Sequence, residues 1–333
     1  MTQDEKRDKI CGCFLGLAVG DALGAPVEFL ILSEIQREYG PNGITDFMPW
    51  DQHPPGSYTD DTQMSLATAQ GILDFFSQDK KNPVKLFRDP REAVYNQYLK
   101  WLKTQSNPED RRRPGITCLQ ALSTGKMGDY RTPLNTSKGC GAVMRSAPLG
   151  LVFEDQLAFY FGTETGVLTH GSPAGYFSAG FHSLLISLLL QGNSMEQAVQ
   201  TAAQFELASK LHPYASLLET WAKIKEAVEL AKTSLPPEKA IEQIGEGWTG
   251  HEALAISLYC CLKFPESWSC AVLAAVNHSG DSDSTGSITG GLQGVRLGLK
   301  RIPEKWVHQV ENSKEIQKIA EAFYKLYLDF SNS

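Results

Sequence analysis

Helical periodicity runs through almost the whole chain. Apolar residues recur every three to four positions, and no strand-length window alternates apolar and polar residues with a period of two. Because that alternation marks half-buried strands, its absence predicts an all-α fold. Helices are predicted over residues 4–22, 60–76, 90–103, 117–123, 142–152, 155–170, 174–191, 195–210, 217–233, 252–263, 268–277, 284–299 and 313–330.

The segments between these helices bear on domain organisation. The 333 residues are enough for two domains, but no low-complexity tract or charge block marks a linker, so a single domain over residues 1–333 is predicted. Segments 40–58, 106–115 and 127–141 are rich in Gly, Pro, Asn and Ser. Loops of this length in a helical domain are more often functional than not, so we expect ligand contacts there.

Charge and cysteine usage narrow the class of partner. The net charge of -7 argues against a nucleic-acid patch, and the one basic cluster, Arg111 to Arg113, is predicted to be a solvated loop.

Seven cysteines without a Cys-x-x-Cys pair favour free thiols in a reducing compartment. The charged N-terminus is unlike a secretory signal, and the longest apolar run is too short to span a bilayer. We therefore expect a cytoplasmic protein with no membrane partner. The sequence leaves the oligomeric state open, with a monomer favoured.

Two short acidic strings are the strongest candidates for chemistry. Thr59-Asp60-Asp61 and Asp281-Ser282-Asp283-Ser284 each precede an apolar-periodic stretch. Acidic and hydroxyl residues are common helix caps, which is the simpler interpretation of either string alone. If the fold brings the strings together, their four carboxylates would repel one another unless cations lie between them. All-oxygen donors favour Mg²⁺, Mn²⁺ or Ca²⁺ over zinc.

Glycine-bearing segments offer further candidates. Glu28 follows a sharp helix break among apolar neighbours, where partial burial would raise its pKa and suit it to acid/base work; a surface glutamate beside a turn is the alternative. Two glycine-rich loops open predicted helices and would let backbone N–H groups approach a diphosphate. Their candidate binding residues are Gly115, Thr117, Ser137, Gly139, Gly141 and Met144.

Two histidines and one cysteine are further candidates. His170 precedes Gly-Ser-Pro at a predicted helix end, where its ring could face a cleft or simply cap the helix. His278 precedes the second acidic string and is predicted to be structural. Cys140 lies in a candidate ligand loop, but no base is identifiable near it in sequence, so a thiol nucleophile is rejected.

Five motifs in this order resemble the ADP-ribosylglycohydrolases, the family that includes the dinitrogenase reductase-activating glycohydrolase. They are Gly-Asp-Ala-Leu-Gly-Ala-Pro-Val-Glu at 20–28, Tyr-Thr-Asp-Asp-Thr-Gln-Met at 58–64, Ser-Lys-Gly-Cys-Gly-Ala-Val-Met-Arg at 137–145, Leu-Thr-His at 168–170 and Gly-Asp-Ser-Asp-Ser at 280–284. The resemblance implies a single compact multi-helix orthogonal bundle with two Mg²⁺ or Mn²⁺ ions in a central cleft.

The resemblance also implies roles for individual residues. The serine at 284 departs from the threonine that is usual there, which leaves Thr285 as the alternative hydroxyl. Glu28, Asp61 and Asp281 would be catalytic, the two glycine loops would bind the pyrophosphate, and His170 would line the ribose pocket. The implied metal ligands are Thr59, Asp60, Asp61, Asp281, Asp283 and Ser284.

The implied activity is hydrolysis of the bond between ADP-ribose and a modified acceptor. Two cations about 3.5 to 4 Å apart would hold the ribose hydroxyls and orient a water toward the anomeric carbon. The expected substrate is an ADP-ribosylated protein or another ADP-ribose conjugate, with arginine as the favoured acceptor. The alternatives are a non-catalytic member that binds ADP-ribose or serves as a crystallin-like structural protein, and a hydrolase of a small ADP-ribose derivative.

Overall fold

The computed structural model describes residues 1–79, 89–208 and 215–331, and it confirms the all-α prediction. Within these ranges the only β-type pairings are two isolated bridges, Trp50 with His53 and Gly139 with Thr249. Three 3₁₀ turns accompany the α-helices, at Ala25–Val27, Cys140–Ala142 and Leu299–Arg301. The α-helices are α1 Gln3–Gly24, α2 Leu32–Tyr39, α3 Asp60–Asp79, α4 Arg91–Thr104, α5 Ile116–Ser123, α6 Ala147–Gly150, α7 Asp155–Gly166, α8 Pro173–Leu190, α9 Met195–Ala208, α10 Ala215–Ala231, α11 Pro237–Ile244, α12 Gly250–Lys263, α13 Trp268–Val276, α14 Ser282–Leu297, α15 Glu304–Gln309 and α16 Ser313–Ser331.

Helices α1 and α14 pack backbone to backbone along a row of glycines. A Cβ atom on Gly16 would lie 2.2 Å from the carbonyl oxygen of Gly290, which is far inside van der Waals contact. Only glycine permits this approach, because any side chain would push the helices apart. The antiparallel contact brings the C-terminal end of α1 to the N-terminal end of α14. Two further glycine pairs repeat it, Gly12 with Gly294 and Gly20 with Gly286.

Two helical stretches are long and apolar enough to cross a membrane by length and composition. They are Gln3–Val27, which is α1 with its following 3₁₀ turn, and α8. In both, 94% of the apolar window is buried inside the protein. Burial against neighbouring helices therefore accounts for their composition, since a helix that is apolar all round needs an apolar surrounding.

Several predicted helix boundaries are wrong for identifiable reasons. The helix predicted over 142–152 is a 3₁₀ turn followed by the short α6, because Pro148 cannot continue a helix and instead begins one. The helix predicted to reach residue 170 ends at Gly166. The end predicted at residue 210 lies outside the described residues. Helices α2, α11 and α15 were not predicted, since eight residues or fewer carry too little periodic signal.

Candidate active site

Asp21, at the end of α1, anchors the first acidic string. Its Oδ1 accepts hydrogen bonds from the backbone N–H and the hydroxyl of Thr59, both 2.9 Å long. Its Oδ2 accepts from the backbone N–H of Thr62 at 2.9 Å and from the Thr62 hydroxyl at 2.6 Å. One fully buried carboxylate therefore holds the turn that begins α3 through four hydrogen bonds. Sequence reasoning gave Asp21 no role.

The two acidic strings meet where α1, α3 and α14 end or begin. Asp60 and Asp61 occupy the first turn of α3, while Asp281 caps α14 and Asp283 lies in its first turn. All four side chains are buried, and we call them the acidic centre. Helix N-termini stabilise carboxylates through their unpaired N–H groups and dipoles. The fold thus concentrates negative charge where two helix starts offer positive potential.

Burial and mutual repulsion dominate the electrostatics of the acidic centre. Burial raises the pKa values of Asp60, Asp61 and Asp281 well above their usual range, and the charge of the neighbouring Asp283 raises them further. Burial and Asp283 also raise the pKa of Asp21 to about 7. Carboxylates in such a site either hold protons or bind cations.

Capping explains only part of this arrangement. The Asp281 carboxylate accepts from the N–H of Ser284 at 3.2 Å, and the Thr59 hydroxyl accepts from the N–H of Asp61 at 3.3 Å, as helix caps do. Asp61 itself is only 2% exposed, and its Oδ1 has no hydrogen-bond partner. A buried anionic oxygen without a partner is costly, so it indicates a missing positive ligand.

The donor chemistry therefore fits a hard divalent cation. Across the part of the chain that the structure describes, no three His, Cys, Asp or Glu side chains already form a group arranged to hold a metal ion. The oxygen donors that would hold such a cation are the carboxylates of the acidic centre.

The two hydroxyls that compete for the last ligand position differ in availability. The Thr285 hydroxyl lies 2.7 Å from the Ala275 carbonyl and 2.8 Å from His278 Nε2, so it is engaged within the fold. The Ser284 hydroxyl lies 3.6 Å from Cys140 Sγ and 3.9 Å from Met144 Sδ, which are weak hydrogen-bond partners. The contacts favour Ser284 as the available hydroxyl and give His278 a structural role.

Arg113 connects Glu28 to two other loops. Its Nη1 donates to the Ala25 carbonyl at 2.6 Å and to Glu28 Oε2 at 3.2 Å. Its Nε and Nη2 each donate to Asp51 at 3.0 Å. Burial raises the pKa of Glu28 well above its usual range, with Asp283 and Asp281 adding to the effect and Arg113 opposing it. The Glu28 carboxyl group is thus buried beside Arg113 and within electrostatic reach of Asp281 and Asp283.

The prediction that Arg111 to Arg113 form a solvated loop is wrong for two of the three. Arg112 forms an ion pair with Glu311 and donates to the Tyr58 carbonyl at 3.1 Å. The Arg113 guanidinium lies 4.7 Å from the Trp50 ring centroid. Local charge density suggested solvent exposure, but carboxylates and aromatic rings distant in sequence surround both arginines.

The two glycine-rich loops adjoin the acidic centre and each other. The Gly115 N–H donates to Asp60 Oδ2 at 3.3 Å, and a Cβ on Gly115 would meet only open space. The hydroxyls of Thr117 and Ser137 are 3.1 Å apart, which joins the loops. The Ser137 hydroxyl also accepts from the Gly139 N–H at 3.2 Å. The structure therefore brings these candidate substrate residues together.

Cys140, which was predicted to lie in a ligand loop, contacts the acidic centre. Its Sγ donates to Asp281 Oδ2 at 2.7 Å, so a carboxylate distant in sequence is in contact with the thiol. Burial raises the pKa of Cys140 well above its usual range, and the charges of Asp281 and Asp61 add to this. The thiol is therefore protonated and a poor nucleophile, which agrees with rejecting nucleophilic catalysis by Cys140.

Three exposed apolar side chains lie next to residues of the site. The rings of Phe29 and Trp248 are stacked, with centroids 5.9 Å apart and planes 13° from parallel. Phe29 is 62% exposed and directly follows Glu28, while the Trp248 carbonyl accepts from the Cys140 N–H at 3.1 Å. Ile116, between Gly115 and Thr117, is 71% exposed. These side chains were not predicted, because exposure of single apolar residues cannot be read from sequence.

In this all-α fold, buried carboxylates lie beside two glycine-rich loops and form a candidate active site. The chain belongs to the ADP-ribosylglycohydrolase family, whose sequence pattern matches residues 2–331. It is 26% identical to ADP-ribosylhydrolase ARH3 from Bos taurus, with 95% of this chain and 92% of the relative covered. It is also 26% identical to ADP-ribosyl-[dinitrogen reductase] glycohydrolase from Rhodospirillum rubrum, over 98% of this chain and 99% of the relative. A solved ADP-ribosylglycohydrolase-related protein complex is similar with a TM-score of 0.71 and 27% identity, over 97% of this chain and 99% of that one.

Family membership confirms the resemblance seen in the motifs and makes this protein an ADP-ribosylglycohydrolase. Such enzymes hydrolyse linkages to ADP-ribose, which favours the enzymatic interpretation over a structural one. The assignments of individual ligands and substrate contacts remain predictions.

Proposed function

We propose that this protein uses two divalent cations, Mg²⁺ or Mn²⁺, to hydrolyse the glycosidic bond between ADP-ribose and an arginine side chain of a modified protein. The observation that carries the proposal is the buried acidic centre, in which Asp61 Oδ1 has no hydrogen-bond partner. The name of the Rhodospirillum relative refers to a modified protein as substrate, which supports a protein acceptor.

The charge of the cleft supports a cationic leaving group. Asp21 and the acidic centre supply five carboxylates, whereas two divalent cations supply four positive charges; Glu28 is paired with Arg113. The remaining negative charge favours a guanidinium over a neutral or anionic acceptor. Arginine is for this reason the proposed acceptor.

Each part of the site has a role in this reaction. Thr59, Asp60, Asp61, Asp281, Asp283 and Ser284 would hold the cations. Bound there, the cations would supply Lewis acidity and an ordered water. Carboxylates of the acidic centre would stabilise the positive charge that develops at the anomeric carbon. Glu28, whose pKa is raised chiefly by burial, would exchange a proton with the leaving group or the water.

The glycine loops would bind the substrate away from the bond that breaks. The Thr117 and Ser137 hydroxyls lie 3.1 Å apart where the two loops meet, and hydroxyl donors of this kind suit a diphosphate. Binding energy from the diphosphate would fix the reacting sugar in position, so it contributes to turnover as well as to affinity.

The test is a hydrolysis panel. Purified protein would be given ADP-ribosylated arginine, ADP-ribosylated serine and O-acetylated ADP-ribose, each with Mg²⁺, Mn²⁺ or EDTA, and release of ADP-ribose would be followed by chromatography. We expect cation-dependent release, fastest from arginine. Turnover of the serine or acetyl conjugates alone would contradict arginine as the acceptor. Turnover in EDTA would refute the role of the cations.

Variants test the assignment of the ligands. Asp60→Ala and Asp283→Ala should abolish turnover, because each removes a carboxylate of the acidic centre. Asp4→Ala, which removes an exposed carboxylate on α1, is the control and should retain wild-type activity. Full activity in either acidic-centre variant would contradict the assignment.

A further inference from the structure

Arg145 is a buried cation whose contacts are not ion pairs. It is 1% exposed, and none of the ion pairs among the described residues includes it. Its Nη2 donates to the Thr169 hydroxyl at 2.7 Å and to the Thr165 carbonyl at 3.3 Å. Its guanidinium lies 4.3 Å from the centroid of the Tyr98 ring. Burying a charge without an ion pair costs free energy, so we expect Arg145 to have a function that offsets this cost.

The Thr169 hydroxyl, which is in contact with Arg145, also contacts a histidine. Thr169 Oγ1 lies 2.9 Å from His170 Nδ1, and both residues are buried. A hydroxyl has one hydrogen to donate, and a guanidinium can only donate, so Thr169 accepts from Arg145. The thiol of Cys118 is the other neighbour of this hydroxyl, but sulfur is a weak acceptor. The Thr169 hydrogen therefore points to His170 Nδ1.

We infer that Arg145 and Thr169 act as positioning residues that place the single ring hydrogen of neutral His170 on Nε2, where it is donated to an anionic oxygen of the bound substrate. Because Nδ1 accepts the Thr169 hydrogen, the ring hydrogen lies on the opposite nitrogen. This inference rests on the proposed function, since the diphosphate supplies the anionic oxygen.

The surroundings of Nε2 match this role. A Cβ placed on Gly139 would lie 3.2 Å from Nε2, and one placed on Gly141 would lie 3.3 Å from it, so the nitrogen faces the glycine loop directly. The hydrogen bond that the structure shows for the His170 ring is made by Nδ1. Burial lowers the pKa of His170 to about 3, and the charge of Arg145 contributes, so the ring is neutral at physiological pH. A neutral ring with a fixed hydrogen on Nε2 is a directed donor.

The first experiment determines which ring nitrogen of His170 carries the hydrogen, in protein without substrate. In ¹⁵N-histidine-labelled protein, ring-nitrogen correlations distinguish a hydrogen on Nε2 from one on Nδ1, and loss of signals in His170→Gln assigns the residue. We expect the Nε2–H form in the wild type and in Thr169→Ser, which keeps the hydroxyl. In Thr169→Val we expect changed Nδ1 and Nε2 shifts, because the hydrogen bond to Nδ1 is lost. A hydrogen on Nδ1 in the wild type would overturn the inference.

The second experiment measures ADP-ribose binding by calorimetry. His170→Ala should weaken binding about tenfold to a hundredfold, as expected for losing a hydrogen bond to a charged group. Thr169→Val should weaken it, and Thr169→Ser should restore it. Equal affinity in wild type and His170→Ala would contradict the role of Nε2.

The two readouts separate this inference from the proposed function. If wild-type protein shows the Nε2–H form but does not bind ADP-ribose, the proposed function fails, because the positioning of the hydrogen is established independently of any ligand. If ADP-ribose binds and the hydrogen lies on Nδ1, the positioning role of Arg145 and Thr169 fails while the proposed function stands.

Discussion

Thr62→Val removes one of the four hydrogen bonds that hold the turn carrying Thr59, Asp60 and Asp61. The Thr62 hydroxyl donates to Asp21 Oδ2 over 2.6 Å, the shortest of the four. Valine has nearly the same shape, and Thr62 is fully buried in the first turn of α3, so the change deletes the hydrogen bond with little change in packing. The backbone N–H of residue 62 continues to donate to the same oxygen.

The expected cost follows from the charge of the acceptor. A hydrogen bond to a charged group contributes about 1.5 to 3 kcal/mol, so Thr62→Val should lower the free energy of unfolding by about 2 kcal/mol at pH 8. Since the turn also presents the first acidic string, its loosening should weaken Mn²⁺ binding by about tenfold, which corresponds to about 1.4 kcal/mol.

Thr68→Val is the matched control on the same helix. The Thr68 hydroxyl is also fully buried and contacts the Met64 carbonyl at 3.0 Å and the Tyr98 hydroxyl at 2.6 Å, both neutral. Its loss should cost about 1 kcal/mol of unfolding free energy and leave Mn²⁺ affinity unchanged.

Urea denaturation in EDTA measures the stability of both variants, and the electron paramagnetic resonance signal of free Mn²⁺ measures binding. Mn²⁺ affinity within twofold of wild type in Thr62→Val would refute the anchoring role of Asp21. A loss of Mn²⁺ affinity in Thr68→Val equal to that in Thr62→Val would also refute it.

Three further outcomes are expected. Stabilisation by Mn²⁺ in thermal unfolding should increase from pH 5.5 to pH 8, because protons on Asp60, Asp61 and Asp281, whose pKa values burial raises, compete with the cation; a shift that is independent of pH would contradict this. Gly16→Ala should lower the free energy of unfolding by at least about 2 kcal/mol, because its Cβ would meet the Gly290 carbonyl, whereas Gly115→Ala, whose Cβ meets nothing, should leave stability unchanged in urea denaturation. Iodoacetamide at pH 8 should alkylate the exposed Cys270 well before Cys140, whose pKa is raised chiefly by burial, and peptide mass spectrometry showing the reverse order would contradict that.

The sequence predicted those parts of the site that local rules govern. The start of α3 at Asp60 followed from acidic residues before a periodic stretch, and the structure places it there. The second string was also recognised as a helix start, although α14 begins at Ser282, two residues before the predicted start. Capping preferences depend on a few neighbouring residues, so they can be recognised from the sequence alone.

Residues whose role depends on distant partners were missed or misjudged. Asp21 gains its role only when Thr59 and Thr62 reach it from another helix. Arg113 looked solvated because its partners, Glu28 and Asp51, are far away in sequence. The carboxylate in contact with Cys140 belongs to Asp281, 141 residues further along the chain. No window of sequence contains these pairs, so periodicity and spacing could not reveal them.

The glycine contact between α1 and α14 has a kinetic consequence. Pairing helices from opposite ends of the chain requires closing a very long loop, and contacts of this kind form slowly because the entropy loss precedes the gain. Asp60 and Asp61 therefore lack the carboxylates of the second string until that string has been synthesised and docked. We expect cation affinity to appear late in refolding, as one of the last properties the chain acquires.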